Sequence, residues 1–118
     1  MGWDNRVTRL FQGIDNRDTG AFLAFLSDDV LFRFGNADPV TGKTAVGEAV
    51  GGFFGSIKGI RHELVASWEK DGVIICHGTV TYTRHDSTTL SVPFANILGI
   101  ENKLINKYLI FVDISELY

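Results

Sequence analysis

The stretch IRHELVASWEKDGVIICHGTVTYTRHDSTTLSVPFANILGIENKLINKYLIFVDI, residues 60–114, decides the fold. It divides into four β-rich runs, Ile60–Lys70, Val73–Arg84, Thr89–Ile100 and Leu104–Ile114, dense in β-branched and aromatic residues. Between them stand three turn signals: Asp71-Gly72, Asp86-Ser87 and Glu101-Asn102-Lys103. Strands joined so closely pair with their neighbours in sequence, which makes an antiparallel meander. One face of that sheet must be covered, and the cover has to come from the residues before it.

Those residues spell helices around one strand. Val7, Leu10, Phe11 and Ile14 fall at i, i+3, i+4 and i+7, predicting an amphipathic helix over residues 3–16. Asp18 suits the N-cap of a second helix, with Phe22, Leu23, Phe25 and Leu26 on its buried side and Asp28-Asp29 at its end. Val30–Phe34 alternates as a strand, with Val30, Phe32 and Phe34 on one face, Leu31 and Arg33 on the other. A loop over Gly35–Gly42 precedes a third helix, residues 44–57. There Val46, Ala49, Val50, Phe53 and Phe54 recur at helical spacing, and Gly59 is the expected C-cap. Gly47, Gly51 and Gly55 form a stripe on it, read as close packing on the sheet, as room for a ligand or as a locally weak helix. The expected architecture is α+β: a curved, mostly antiparallel sheet wrapped around three helices, a cone-like barrel with an internal cavity. Residues 1–118 form one domain.

Composition narrows the function. A net charge of −3 lacks the basic footprint of a nucleic-acid binder. The lone cysteine, Cys76, excludes an internal disulfide and a multi-cysteine zinc site. The N-terminus has no apolar signal core, and Arg6 stands where acylation of Gly2 would want a small residue. No apolar run approaches the roughly 20 residues that span a bilayer. The expectation is a cytoplasmic domain without membrane or nucleic-acid partners.

Four stretches carry a resemblance: Ile14-Asp15-Asn16-Arg17-Asp18 with Phe22, the run from Asp28 to Asn36, Gly59-Ile60-Arg61-His62 with Trp68, and Val80-Thr81-Tyr82-Thr83-Arg84 leading to Val112-Asp113-Ile114. Together they resemble the SnoaL-like branch of the NTF2-like superfamily, whose curved sheet encloses a cavity. Ketosteroid isomerases, limonene epoxide hydrolases and polyketide cyclases share that fold. The resemblance implies that the isomerases' general base falls on Phe34 and their oxyanion donors on Leu10 and Ala95. The acid/base Asp of the hydrolases and cyclases falls on Ile110, and an Arg common on that strand on Leu109. Alkyl and phenyl groups cannot move protons or stabilise an enolate, so those mechanisms are not expected here.

What remains is a largely apolar wall. Leu10, Ile14, Phe32, Phe34, Val50, Phe54, Trp68, Tyr82, Ala95 and Ile110 are its expected residues, with Asn36 at the rim as a ligand contact or a turn-stabilising side chain. His62 is the first choice for proton transfer, because imidazole titrates near neutrality and this one starts a strand beside the presumed opening. Asp113 or Asp15 could orient it, although Asp113 could equally be structural and pair with Arg33. His77 and Cys76, adjacent on a strand, face opposite sides, and His85 lies in a hairpin turn. No histidine–carboxylate spacing suggests a metal, and no cofactor is implied. Binding of a small apolar molecule is the expected function; an isomerase, cyclase or hydrolase with a non-standard acid/base set is the alternative. A homodimer is expected through the outer sheet face, with Leu109 and Phe111 joined by Phe94 and Leu98.

Overall fold

The structure, a computed structural model, describes residues 4–118. Met1, Gly2 and Trp3 lie outside the described residues, and with them the expected start of the first helix at Trp3 and the acylation position Gly2. Helix α1 spans Asp4–Asp15 and buries Val7, Leu10, Phe11 and Ile14, the four positions its periodicity singles out. Helix α2, Thr19–Leu23, is capped by the Asp18 side chain, which accepts from the Ala21 N–H at 3.0 Å. It ends well before Asp28-Asp29. Tertiary pairing overrides the apolar spacing: the Phe25 carbonyl accepts from Ile105 N–H, and Leu26 already pairs with Ile105 in the sheet.

Strand β1 therefore runs Leu26–Phe34, longer than its alternation suggests. A short β2, Val40–Thr41, folds back on it inside the expected loop. Helix α3, Lys43–Gly55, buries Val46, Val50 and Phe54; its C-cap is Ser56, and Gly59 instead opens the next strand. The meander follows as β3 (Gly59–Lys70), β4 (Val73–Thr83), β5 (Thr89–Glu101) and β6 (Leu104–Val112).

The six strands form one sheet in the order β2-β1-β6-β5-β4-β3, antiparallel except where β1 pairs with β6. The sheet curves over the helices but stays open, with β2 and β3 at its edges, so the expected barrel does not close. One irregularity repositions half a strand. The β3–β4 register shifts between Leu64 and Ala66, leaving Val65 as an extra residue. Such a bulge exchanges the two faces of the strand beyond it. Gly78, opposite, is what admits it: a Cβ there would fall 3.0 Å from Leu64 Cα, 2.9 Å from the Glu63 carbonyl carbon and closer still to its oxygen.

Candidate functional site

The concave face and the helices enclose a cavity of about 190 Å³. Alternation on five strands supplies the wall: Phe32 and Phe34 from β1, Ile60 and His62 from β3, Val80 and Tyr82 from β4, Phe94 and Asn96 from β5, Tyr108 and Ile110 from β6. Ile14, Phe22 and the α3 residues Ala49, Val50, Phe53 and Phe54 close it from the helical side, and Ala37, Asp38 and Val40 form a rim. Edge-to-face ring pairs stiffen the lining, among them Phe34–Phe53 at 4.9 Å, Phe53–Tyr82 at 5.9 Å and Phe22–Tyr108 at 5.3 Å. Burial holds the Tyr82 and Tyr108 phenols well above their ordinary range, with Tyr118 adding to Tyr82 and Cys76 to Tyr108. Both are neutral hydroxyls near pH 7.

His62 is held from the end of α1. Asp15 Oδ1 lies 2.6 Å from His62 Nδ1, and Asp15 Oδ2 accepts the His62 backbone N–H at 3.1 Å. Two contacts to one carboxylate fix both strand and imidazole. The contact engages Nδ1 and leaves Nε2 as the ring nitrogen without a carboxylate partner. Phe11 and Phe94 pack on the ring at 4.8 and 5.0 Å, and only 10 % of the side chain is exposed. An imidazole oriented by a carboxylate in an apolar setting can take up and return a proton.

Of the expected wall residues, Ile14, Phe32, Phe34, Val50, Phe54, Tyr82 and Ile110 line the cavity. Leu10 is fully buried in the core without reaching the lining. Asn36 lies exposed in the turn after β1. Trp68 is 57 % exposed on the outer face, stacked at 5.7 Å on His77, because the β3 bulge reverses its side. Ala95 also faces outward, since β5 turns Phe94, Asn96 and Leu98 inward. Asp113 is exposed beyond β6, where Oδ1 accepts from Ser115 N–H at 2.9 Å and lowers its pKa. It belongs to a turn, pairs neither with His62 nor with Arg33, and leaves orientation of the imidazole to Asp15. His85 Nε2 lies 3.0 Å from the Gly55 carbonyl, tethering its hairpin to α3.

Asn96 is the residue that sequence reasoning missed. It is 2 % exposed, and its Oδ1 has no hydrogen-bond partner. A signal was present: Leu90, Val92, Phe94, Leu98 and Ile100 share one phase of β5, and Asn96 interrupts it. Neither Phe34 nor Ile110 contributes a polar group to the cavity, so the polar atoms of the wall come from other positions. Among the described residues no cluster of three or more His, Cys, Asp and Glu side chains could hold a metal ion.

The family profile for the SnoaL-like domain matches residues 7–108. The chain belongs to the SnoaL-like family. No curated protein matches the sequence. Among solved structures, an NTF2-like protein of unknown function from Burkholderia pseudomallei is 18 % identical, with a TM-score of 0.86 over 96 % of this chain and 92 % of that one. A candidate polyketide cyclase from Xanthomonas campestris is 17 % identical, with a TM-score of 0.81 over 94 % and 90 %. An LEH-like epoxide hydrolase from M. tuberculosis is 12 % identical, with a TM-score of 0.80 over 93 % and 81 %. At such identities these likenesses establish the SnoaL-like fold alone.

Proposed function

We propose that this SnoaL-like chain binds a small, largely apolar molecule in the cavity between its helices and its concave sheet. The observation that carries the proposal is a cavity of about 190 Å³ with a predominantly alkyl and aromatic wall. An apolar cavity of about 150 Å³ already accepts benzene, so a single substituted ring fits. The test is calorimetric titration with p-xylene. Saturable binding that Val50→Trp abolishes supports the proposal; no heat at the solubility limit of the probe refutes it.

A second function, an isomerase, cyclase or hydrolase acting on a small hydrophobic substrate, is favoured by the Asp15–His62 contact. In it, His62 Nε2 takes a proton from the bound molecule and returns it at another position, while Asp15 keeps the imidazole oriented. Exchange of α-protons for deuterium in 2-indanone, followed by NMR in D₂O, tests the step without the natural substrate. Exchange above the buffer rate that His62→Gln reduces about 100-fold supports it. Exchange at the buffer rate removes catalysis and leaves binding standing.

Two copies are proposed to associate through the outer sheet face. Cross-strand register sets Trp68, Ile75, Ile97 and Leu109 in one outer row and Ala66, His77, Ala95 and Phe111 in the next. Phe94 and Leu98 face the core, and Ala95 and Ile97 stand in their place. Trp68, Ile75 and Phe111 are each more than two-fifths exposed, which supports an interface there. Among the described residues no helix is long and apolar enough to cross a membrane.

A further inference from the structure

Asn96 carries an unmet chemical demand. Among the described residues it is the buried polar residue of the core, and its side-chain oxygen is sealed from solvent without a donor. An amide oxygen taken out of water and left unpaired is destabilising, and native proteins satisfy nearly all such groups. No side chain among the described residues donates to it. The cross-strand residues are Cys76 on β4, whose thiol is a weak donor, and Ile110 on β6, which has none. Asn96 lines the cavity, so a molecule held there stands next to its amide.

We infer that the ligand brings it: the cavity takes a neutral, single-ring molecule whose hydroxyl donates to Asn96 Oδ1. This rests on the binding function proposed above and adds the ligand's chemical class. Size selects one ring, since the space modestly exceeds the roughly 150 Å³ that holds benzene. Charge selects a neutral molecule. No Lys or Arg lines the cavity to receive a carboxylate, His62 is already matched by the Asp15 carboxylate, and Asp38 at the rim adds negative charge. A buried unpaired ion is far costlier than a neutral hydroxyl. Polarity selects a donor, because the orphan atom is an acceptor.

Calorimetry with three probes of matched shape tests this: p-cresol, which donates; 4-methylanisole, which only accepts; and p-xylene, which does neither. The wild-type chain should bind p-cresol about tenfold more tightly than p-xylene, with 4-methylanisole no better than p-xylene. Asn96→Leu, close in volume, should keep p-xylene and lose the preference, and its retained p-xylene binding shows that the variant folds. Equal wild-type affinity for p-cresol and p-xylene overturns the inference while leaving apolar binding intact. Tighter binding of 4-methylanisole overturns it too, because the amide N–H would then face the ligand. If none of the probes binds the wild type, the binding function falls with it.

Discussion

His62 and Asp15 lie 47 positions apart in sequence and meet in a 2.6 Å contact at the cavity wall. If the chain catalyses proton transfer, the two residues should fail differently. His62→Gln removes the base and should reduce exchange about 100-fold. Asp15→Asn keeps the imidazole but loosens it and admits the other tautomer, so a loss of about tenfold or more with little change in p-xylene affinity is expected. Equal rates for Asp15→Asn and wild type, measured by the same NMR exchange, would reduce Asp15 to a staple between α1 and β3. Cys76 gives a prediction independent of any ligand. Burial pushes its thiol from the ordinary 9.0 up to about 11, against a smaller opposing effect of a backbone hydrogen bond from Asn96. The raised value means that the folded chain holds the proton after the unfolded chain has released it. That contribution is intact below about pH 9 and is lost as pH rises toward 11. Tyr82 and Tyr108 are displaced in the same direction. Denaturation midpoints should therefore fall steadily above about pH 9, and iodoacetamide at about pH 8 should label Cys76 only as fast as the chain unfolds. Rapid labelling of the folded protein would contradict the burial. The placing of His62 beside the cavity was legible in the sequence, because its strand position is local. Its partner was open between Asp113 and Asp15, since only the packing of α1 against β3 decides it.

At the scale of elements, α1 was legible because its periodicity runs unbroken, and the meander because its β-rich runs are separated by three turn signals. Asp71, Ser87, Asn102 and Lys103 all adopt positive φ there, as does Gly72. Where the pattern misled, a tertiary contact had moved the phase. Residues Ile60, His62, Leu64, Ala66 and Trp68 would share one face of an unbroken strand, and that even spacing alone puts Trp68 in the cavity. The bulge at Val65 sends it outward. The sequence marks the bulge only indirectly, through Gly78 on the partner strand. Gly78→Ala should cost about 3 kcal/mol, because the added methyl meets backbone that cannot rotate away. A denaturant midpoint equal to that of the wild type would show the bulge to be dispensable. Gly52 gives the opposite sign. Nothing lies within 4 Å of a Cβ placed there, so Gly52→Ala should stabilise α3 by up to about 1 kcal/mol. Within the α3 glycine stripe only Gly47 is crowded: a Cβ there would stand 3.0 Å from Leu23 of α2, one on Gly51 would lie 3.8 Å from Thr19 and one on Gly55 would meet nothing within 4 Å, and none of the three lines the cavity.

At the scale of the whole molecule, the sheet turns an apolar face to the cavity and carries apolar side chains in two rows of its outer face. In a monomer the outer rows would leave Trp68, Ile75 and Phe111 exposed across strands β3, β4 and β6. Sedimentation at micromolar concentration should give twice the chain mass of 13.0 kDa, and the double variant Ile97→Asp, Phe111→Asp should return the single-chain mass. A wild-type chain that sediments at 13.0 kDa would contradict association through this face. The inner face carries the central claim, that the cavity receives a small apolar guest beside His62 and Asn96. The most direct measurement is diffraction from a crystal of the protein soaked in p-xylene. The account predicts ring density among Phe34, Val50, Phe54 and Ile110, with the wall unmoved. A cavity empty at saturating p-xylene, or density confined to the outer rows of the sheet, would contradict it.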